Sequence, residues 1–287
     1  MYSMEHFSVL KKEAIEALNI QKGSWYIDCN LGMGGHTSLI LERGGCVIGI
    51  DADEDAIEHC RTRFSKEIEN GTLKLVRTNF SKINEISSTE PIAGILYDLG
   101  LNIGQLKESK RGFSIADETE LDMRIDKDLG VKAWDLINAL NEDQLSRLIF
   151  EYGEDPQAKS FARAIKIALK DGKIKTSADL ADVIKKASRY PVSKIHPATR
   201  TFQALRIAVN SEFDSLRESL IRAIPLLVPG GRLVIISFHS LEDEIAKKLA
   251  ESPNLNSLTK KPIVPSDEEI NLNPPSRSAK LRIYEKI

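Results

Sequence analysis

Residues 26–53 read YIDCNLGMGGHTSLILERGGCVIGIDAD, and their reading decides the fold. A short apolar run, 25–29, leads into the turn Gly32-Met-Gly34-Gly35-His36. Helical spacing then runs over 35–43, and a second apolar run, 46–51, ends in acids. Strand, glycine turn, helix and strand in that order open a nucleotide-binding βαβ unit. Glycines in such a turn let the backbone approach a ligand, and the helix N-terminus behind it offers unpaired N–H groups. Asp51, 19 residues after Gly32, stands where an acid accepts hydrogen bonds from ribose hydroxyls.

The dinucleotide fingerprint G-x-G-x-x-G, counted from Gly32, requires a third glycine at position 37. This chain has Thr37 there. A G-x-G-G turn without that glycine favours a nucleoside that carries an amino-acid tail and no pyrophosphate, as in S-adenosylmethionine (SAM). The bland alternative at this point is a plain tight turn.

Outward from this unit, further apolar runs at 73–76, 92–98 and 232–238 are expected to be strands, with a second helix over 54–68. Strands alternating with helices predict an α/β fold with a parallel sheet. The alternating 281–286 segment is expected at a sheet edge. From 112 to 208 only helix signals occur, so the expected organisation is a cofactor-binding domain built from 1–111 and 209–287, with a helical substrate-recognition domain, 112–208, inserted in it. Within the insert, helical spacing covers 159–170, Thr176 and Asp179 form a capping box, and a helix from Thr199 breaks near Asn210. Segment 252–278, rich in Pro, Asn and Ser, is expected to be mostly loop.

The chain has 287 residues, 41% hydrophobic and 29% charged, with a net charge of −2. That is a globular balance, without the roughly 18-residue apolar run of a membrane span. The first residues lack the apolar block of a secretory signal. Cys29, Cys46 and Cys60 are scattered, which predicts neither disulfides nor a structural zinc and favours a reducing, cytoplasmic setting. Charge is uneven along the insert. Residues 112–155 hold 12 acids against 4 bases, whereas 156–206 hold 12 bases against 3 acids. The local surplus of nine positive charges (12 − 3) suits a polyanion, unless the preceding acids neutralise it.

Two further residues stand where open sheets bind ligands, beyond the carboxyl ends of their strands. Asp98 ends ILYD, placed to meet the cofactor's amino group or a substrate amine, or simply to cap the following turn. His239 in SFHSLED faces a substrate or only holds its loop. The five histidines lack metal-ligand spacing, so no metal is expected.

With these residues in place, the chain resembles the bacterial small-subunit (16S) ribosomal RNA cytosine-N4 methyltransferases, the MraW-like family. The resemblance rests on LGMGGHTS, GILYDLGL with Gln105, RGFSI, LDMRI, YGE, HPATRTFQALRIAVNSE, PGGRLVIISFHSLED and SRSAKLR. It implies a Rossmann-like, class I SAM-dependent methyltransferase with an inserted helical domain, acting on the N4 amine of a cytidine in the decoding region. The implied cofactor contacts are Gly34, Gly35, His36, Asp51, Phe80, Asp98 and Gln105; Phe80 and Gln105 come from the resemblance alone. Asp98 is the expected catalytic group. Arg200, in HPATRT, and His239 are expected on the substrate side, with the basic segment, Lys185 and Lys186 included, gripping phosphates. The implied partner is the small ribosomal subunit, and a homodimer is compatible with it.

The chain departs from the family at Asn102-Ile103-Gly104, where Ser-Ser-Pro is usual, at Glu244 and Pro275, where bases are usual, and at Ser8, where Pro is usual. The competing readings are a nicotinamide-dependent oxidoreductase and a non-catalytic RNA-binding or ribosome-assembly factor with a retained SAM cleft.

Overall fold

The computed structural model describes residues 8–86, 90–99, 110–189 and 195–287. The chain divides into two compact units, one of Met1–Asn102 with Phe213–Ile287 and one of Ile103–Glu212.

The first unit is a seven-stranded sheet in the order β3-β2-β1-β4-β5-β7-β6. Its strands are β1 (Trp25–Asp28), β2 (Cys46–Asp51), β3 (Leu73–Arg77), β4 (Ile92–Asp98), β5 (Leu227–Ser237), β6 (Leu255–Ser257) and β7 (Lys280–Lys286). β1 to β5 run parallel, and β7 runs antiparallel to both β5 and β6. The helices of this unit are α1 (Lys11–Ala17), α2 (Gly35–Glu42), α3 (Glu54–Arg63) and α4 (Ser65–Glu69). Strand residues alternate between two cores. Ile48, Ile50, Ile95, Tyr97, Leu233 and Ile235 enter one, and Val47, Leu96, Val234 and Ile236 the other. A sheet covered on both faces needs apolar side chains at odd and even positions alike, which explains the unbroken apolar runs. The result is a Rossmann-like α/β fold.

Three expectations need correction. The 281–286 segment is an interior strand: β7 lies between β5 and β6 and takes hydrogen bonds on both sides. The edge is β6, three residues within the segment expected to be loop, too short to show a period. The helix expected over 54–68 is two, because Phe64 leaves helical geometry at φ −112° and ψ 31°. Its ring turns back against the glycine turn.

The second unit is helical: α5 (Ala133–Ala139), α6 (Glu142–Gly153), α7 (Ala158–Lys170), α8 (Ser177–Ala187) and α9 (Thr199–Val209). The Thr176 and Asp179 capping box forms as expected, each side chain bonding the other's backbone N–H. The break near Asn210 has a specific cause. The Asn210 amide donates to the Met123 carbonyl at 2.8 Å and accepts from the Ile125 N–H at 2.8 Å. Arg111 donates to the carbonyls of Arg124 and Ile125 at 3.0 and 2.8 Å. RGFSI, LDMRI and the Asn of AVNSE are therefore one polar knot that shapes this unit. Beyond it, α10 (Glu212–Ala223) leads back to the sheet, where α11 (Ser240–Lys247) and α12 (Asp267–Leu272) complete the helices described.

The YGE motif is a packing device. A Cβ on Gly153, at the end of α6, would stand 2.5 Å from the Arg200 carbonyl oxygen in α9. Arg200 Nη1 donates to the Glu154 carbonyl at 2.9 Å, and Gln203 Nε2 to that of Tyr152 at 3.2 Å. Helix propensity alone would make Gly153→Ala stabilising by about 1 kcal/mol. The close backbone approach reverses the sign, and we expect a net loss of about 1–3 kcal/mol in denaturant titration. A more stable variant would contradict the contact. Among the described residues no helix is long and apolar enough to cross a membrane.

Candidate active site

The parallel strands β1, β2 and β4 bring Asp28, Asp51 and Asp98 to one edge of the sheet, beside the first βα turn. The turn is held from behind by α3. Gly34 takes φ +75°, and a Cβ there would overlap the Phe64 ring. The Cys60 thiol donates to the Gly32 carbonyl at 3.3 Å, and the Arg63 guanidinium donates to that of Met33. Burial pushes the Cys60 thiol up to about 12, so it packs as an inert group. At Gly35 a Cβ would collide with the hydroxyl of Ser8, the residue found where the family usually has Pro. Both glycines are therefore required by the protein's own packing, Gly34 against Phe64 and Gly35 against Ser8.

Asp51 is already half engaged. Its carboxylate accepts the Gly32 N–H at 2.8 Å and the Asp53 N–H at 2.9 Å. About four lone-pair sites on a carboxylate leave further acceptors for a diol. Burial raises its pKa to about 6, against the downward pull of those two donors.

His36, in the first turn of α2, points its Nε2 at Asp98 Oδ2, 3.2 Å away. An Nε2–H donating to that carboxylate leaves Nδ1 as an acceptor, and Nδ1 is buried with no partner among the described residues. Thr37 explains the missing third glycine. Its Oγ1 donates to Asp28 Oδ2 at 2.7 Å, so a side-chain bond joins helix to strand where a glycine would let them pack bare. Asp28 is 1% exposed, and burial raises its pKa despite the opposing pull of His36 and Thr37.

Sequence reasoning passed over Asp28, although a carboxylate inside the apolar run YID was a visible signal. It also missed Ser219 of α10, which no local pattern marks. Ser219 Oγ lies 2.6 Å from the Tyr97 hydroxyl and donates to the Phe80 carbonyl at 2.8 Å. The Phe80 ring meets Tyr97 edge-on, with centroids 5.9 Å apart. Phe80 is thus held after β3, at the same sheet edge.

The expected residues distribute unevenly. Gly34, Gly35, His36, Asp51, Phe80 and Asp98 share the sheet unit. Gln105 and Asn102-Ile103-Gly104 lie outside the described residues. Arg200 belongs to the helical unit, exposed, with its guanidinium on the Glu154 carbonyl. His239 caps α11: Nδ1 accepts the Glu242 N–H at 3.4 Å, and Nε2 lies 2.8 Å from Glu242 Oε1. Its ring stands 5.6 Å from that of Phe213. Loop holding is therefore its observed role. Glu244 is exposed and 3.8 Å from Lys248, and Pro275 sits in the 3-10 turn Pro274–Ser278. Among the described residues no three His, Cys, Asp or Glu side chains gather as a metal site requires.

Comparisons with known proteins agree with one another. A family model described as the MraW methylase family matches residues 3–287. The Ribosomal RNA small subunit methyltransferase H of Brevibacillus brevis is 38% identical over 312 residues, taking in 99% of this chain and 99% of that protein. Among solved structures, a putative methyltransferase of Streptococcus mutans in complex with SAH aligns over 96% of this chain and 97% of its own, with 12% identity and a TM-score of 0.46. An rRNA methylase of Streptococcus thermophilus aligns over 99% of both chains, with 11% identity and a TM-score of 0.45.

Proposed function

The chain belongs to the MraW methylase family, and on that premise we propose that it is a SAM-dependent methyltransferase of small-subunit ribosomal RNA whose target is the N4 amine of a cytidine in the decoding region. The observation that carries this reading is the convergence of Gly34, Gly35, His36, Asp51 and Asp98 at one sheet edge, in a chain 38% identical end to end to a ribosomal RNA small subunit methyltransferase.

The site fits the cofactor. The glycine turn and the N-terminus of α2 offer backbone N–H groups to the amino-acid tail. The free acceptors of Asp51 suit the ribose hydroxyls, and the unpartnered Nδ1 of His36 suits a cationic amine. Phe80 offers a ring edge or face to the base. Bound there, SAM supplies a methyl group on a positively charged sulfur, which needs no further activation.

The protein's own contribution is then placement and proton handling. A cytosine amine is a weak nucleophile because its lone pair is delocalised into the ring. A carboxylate oxygen accepting its N–H localises that lone pair and takes up the proton released. Asp98 is the group for this role. His36, bonded to the same carboxylate, orients it. The base has to leave its stack to reach such an edge. The basic segment of the helical unit, 156–206, supplies the phosphate grip. Incubating the protein with labelled SAM and undermethylated small subunits, then mapping the modified nucleotide, tests the reading. A label on any other base or atom rejects the target.

The state of Asp51 gives a second test. A carboxyl near 6 is largely protonated at pH 5, whereas ribose hydroxyls donate best to the ionised form. SAM affinity should therefore weaken about tenfold from pH 7 to pH 5. At pH 6 binding should release part of a proton, seen as a binding enthalpy that changes with the buffer's ionisation enthalpy. In the free protein the raised value works the other way. Its contribution to stability is full below the ordinary carboxylate value of 3.8 and fades as pH rises through 6. Asp51→Asn should bind more weakly and lose the pH dependence. A wild-type affinity that is flat from pH 5 to 7 would remove Asp51 from the ribose contact.

A further inference from the structure

The bases of 156–206 fall into two classes that sequence cannot separate. Some are taken up inside the helical unit. Lys166 Nζ caps the end of α5, reaching the carbonyls of Ile137, Asn138 and Leu140 at 2.9, 3.1 and 2.7 Å. Arg206 forms a bidentate pair with Glu212 at 2.8 and 2.9 Å. Lys173 pairs with Asp171 at 2.7 Å. Arg200 bonds the Glu154 carbonyl.

Lys159, Arg163 and Lys170 are different. These three are exposed, and, like those of Lys175, Lys185, Lys186 and Arg189, their side chains have no hydrogen-bond or ion-pair partner among the described residues. The three lie on α7, AKSFARAIKIALK, which contains no acid. The opposite face, Ala158, Phe161, Ala162, Ile165 and Ala168, is buried in the core of the helical unit and fixes the rotation of the helix. Positions i, i+4 and i+11 lie on one line along a helix surface, here about 16 Å from end to end. Three unneutralised cations in a row on a rigid element form an unusual surface in a chain of net charge −2. The acids of 112–155 do not quench them.

We propose that the exposed line Lys159–Arg163–Lys170 of α7 is a docking track for the sugar-phosphate backbone of the substrate RNA. This rests on the reading of the chain as a ribosomal RNA methyltransferase and names the surface that reading leaves open. Charge complementarity selects the occupant, because a row of cations with no acid among them matches a row of phosphates. The line carries no exposed aromatic ring on which a base could stack, so it grips the backbone without reading sequence. Binding energy from such a track acts on the RNA in the ground state and transition state alike. Its loss raises KM and leaves kcat.

The test compares the triple variant Lys159→Gln/Arg163→Gln/Lys170→Gln with the wild type, using undermethylated small subunits across a salt series. Each phosphate contact contributes about 0.7–0.9 to the slope of log affinity against log salt, so the triple variant should lose about two units of slope. KM should rise roughly ten- to hundred-fold at moderate salt, with kcat at saturation and SAM affinity unchanged. Lys173→Gln, which removes a lysine already paired with Asp171, should change the slope little. Far-UV circular dichroism confirms the fold, which exposed substitutions on α7 leave intact. An unchanged slope and KM in the folded triple variant overturns the track while leaving the methyltransferase reading in place. A wild type with no salt-dependent affinity for small subunits overturns that reading and the track together.

Discussion

Asp243→Ala should cost about 3–5 kcal/mol of stability, the range for removing one partner of a buried ion pair. Arg282, at the centre of the interior strand β7, is 8% exposed. Its Nε and Nη2 donate to the two oxygens of Asp243 at 2.6 and 3.2 Å, and Lys280 Nζ adds a third contact at 3.0 Å. Asp243 sits in the first turn of α11, so these bonds tie SFHSLED to SRSAKLR. Truncation leaves a buried guanidinium with no counter-charge, which is the costly half of such a pair. Burial works to raise the pKa of Asp243, and the bonds from Arg282 and Lys280 overcome it and hold the carboxyl below its ordinary value of 3.8. The stability it contributes is therefore present above that value and is lost as pH falls through the depressed one. Urea titrations of wild type and variant at pH 7 should differ by the full amount, and the gap should close in strong acid. A difference under about 1 kcal/mol at pH 7 would mean that water replaces Asp243 at little cost.

Asp98→Asn should lower kcat by about 100-fold or more at saturating SAM, within the range for losing a positioned proton acceptor. The amide is nearly the same size and still bonds His36, so the sheet edge should keep its shape. It no longer carries the charge that localises the amine's lone pair and receives its proton. The accompanying change in SAM affinity should be small beside the change in kcat. Single-turnover methylation of undermethylated small subunits separates the two effects. Full turnover by the variant at saturating SAM would leave Asp98 as a structural residue of its turn.

The βαβ unit was legible because its signals are local. The glycine turn, the apolar runs of β1 and β2 and the acid Asp51 follow one another within 28 residues. The capping box at Thr176 was legible for the same reason, since Asp179 is three residues away, whereas the bonds of Asn210 to Met123 and Ile125 span 87 and 85 residues. The motif of the resemblance were harder to interpret. YGE, RGFSI and LDMRI look as specific as the glycine turn, yet Gly153 spaces two helices and Arg111 bonds carbonyls 13 and 14 residues away. Residue type does not distinguish a packing role from a chemical one.

The amino-acid sequence by itself determined the five parallel strands, the glycine turn and the family, because period, spacing and rare strings of residues survive without coordinates. Tertiary structure alone decided which groups meet. Thr37 reaches Asp28, Ser219 fastens Phe80 from 139 residues away, and Asp243 neutralises Arg282 across 39. It also decided which bases of one basic segment are bonded within the protein, since pairing depends on distance in space. A count of charges along a chain carries no such distance; the rotation of α7 about its buried face does.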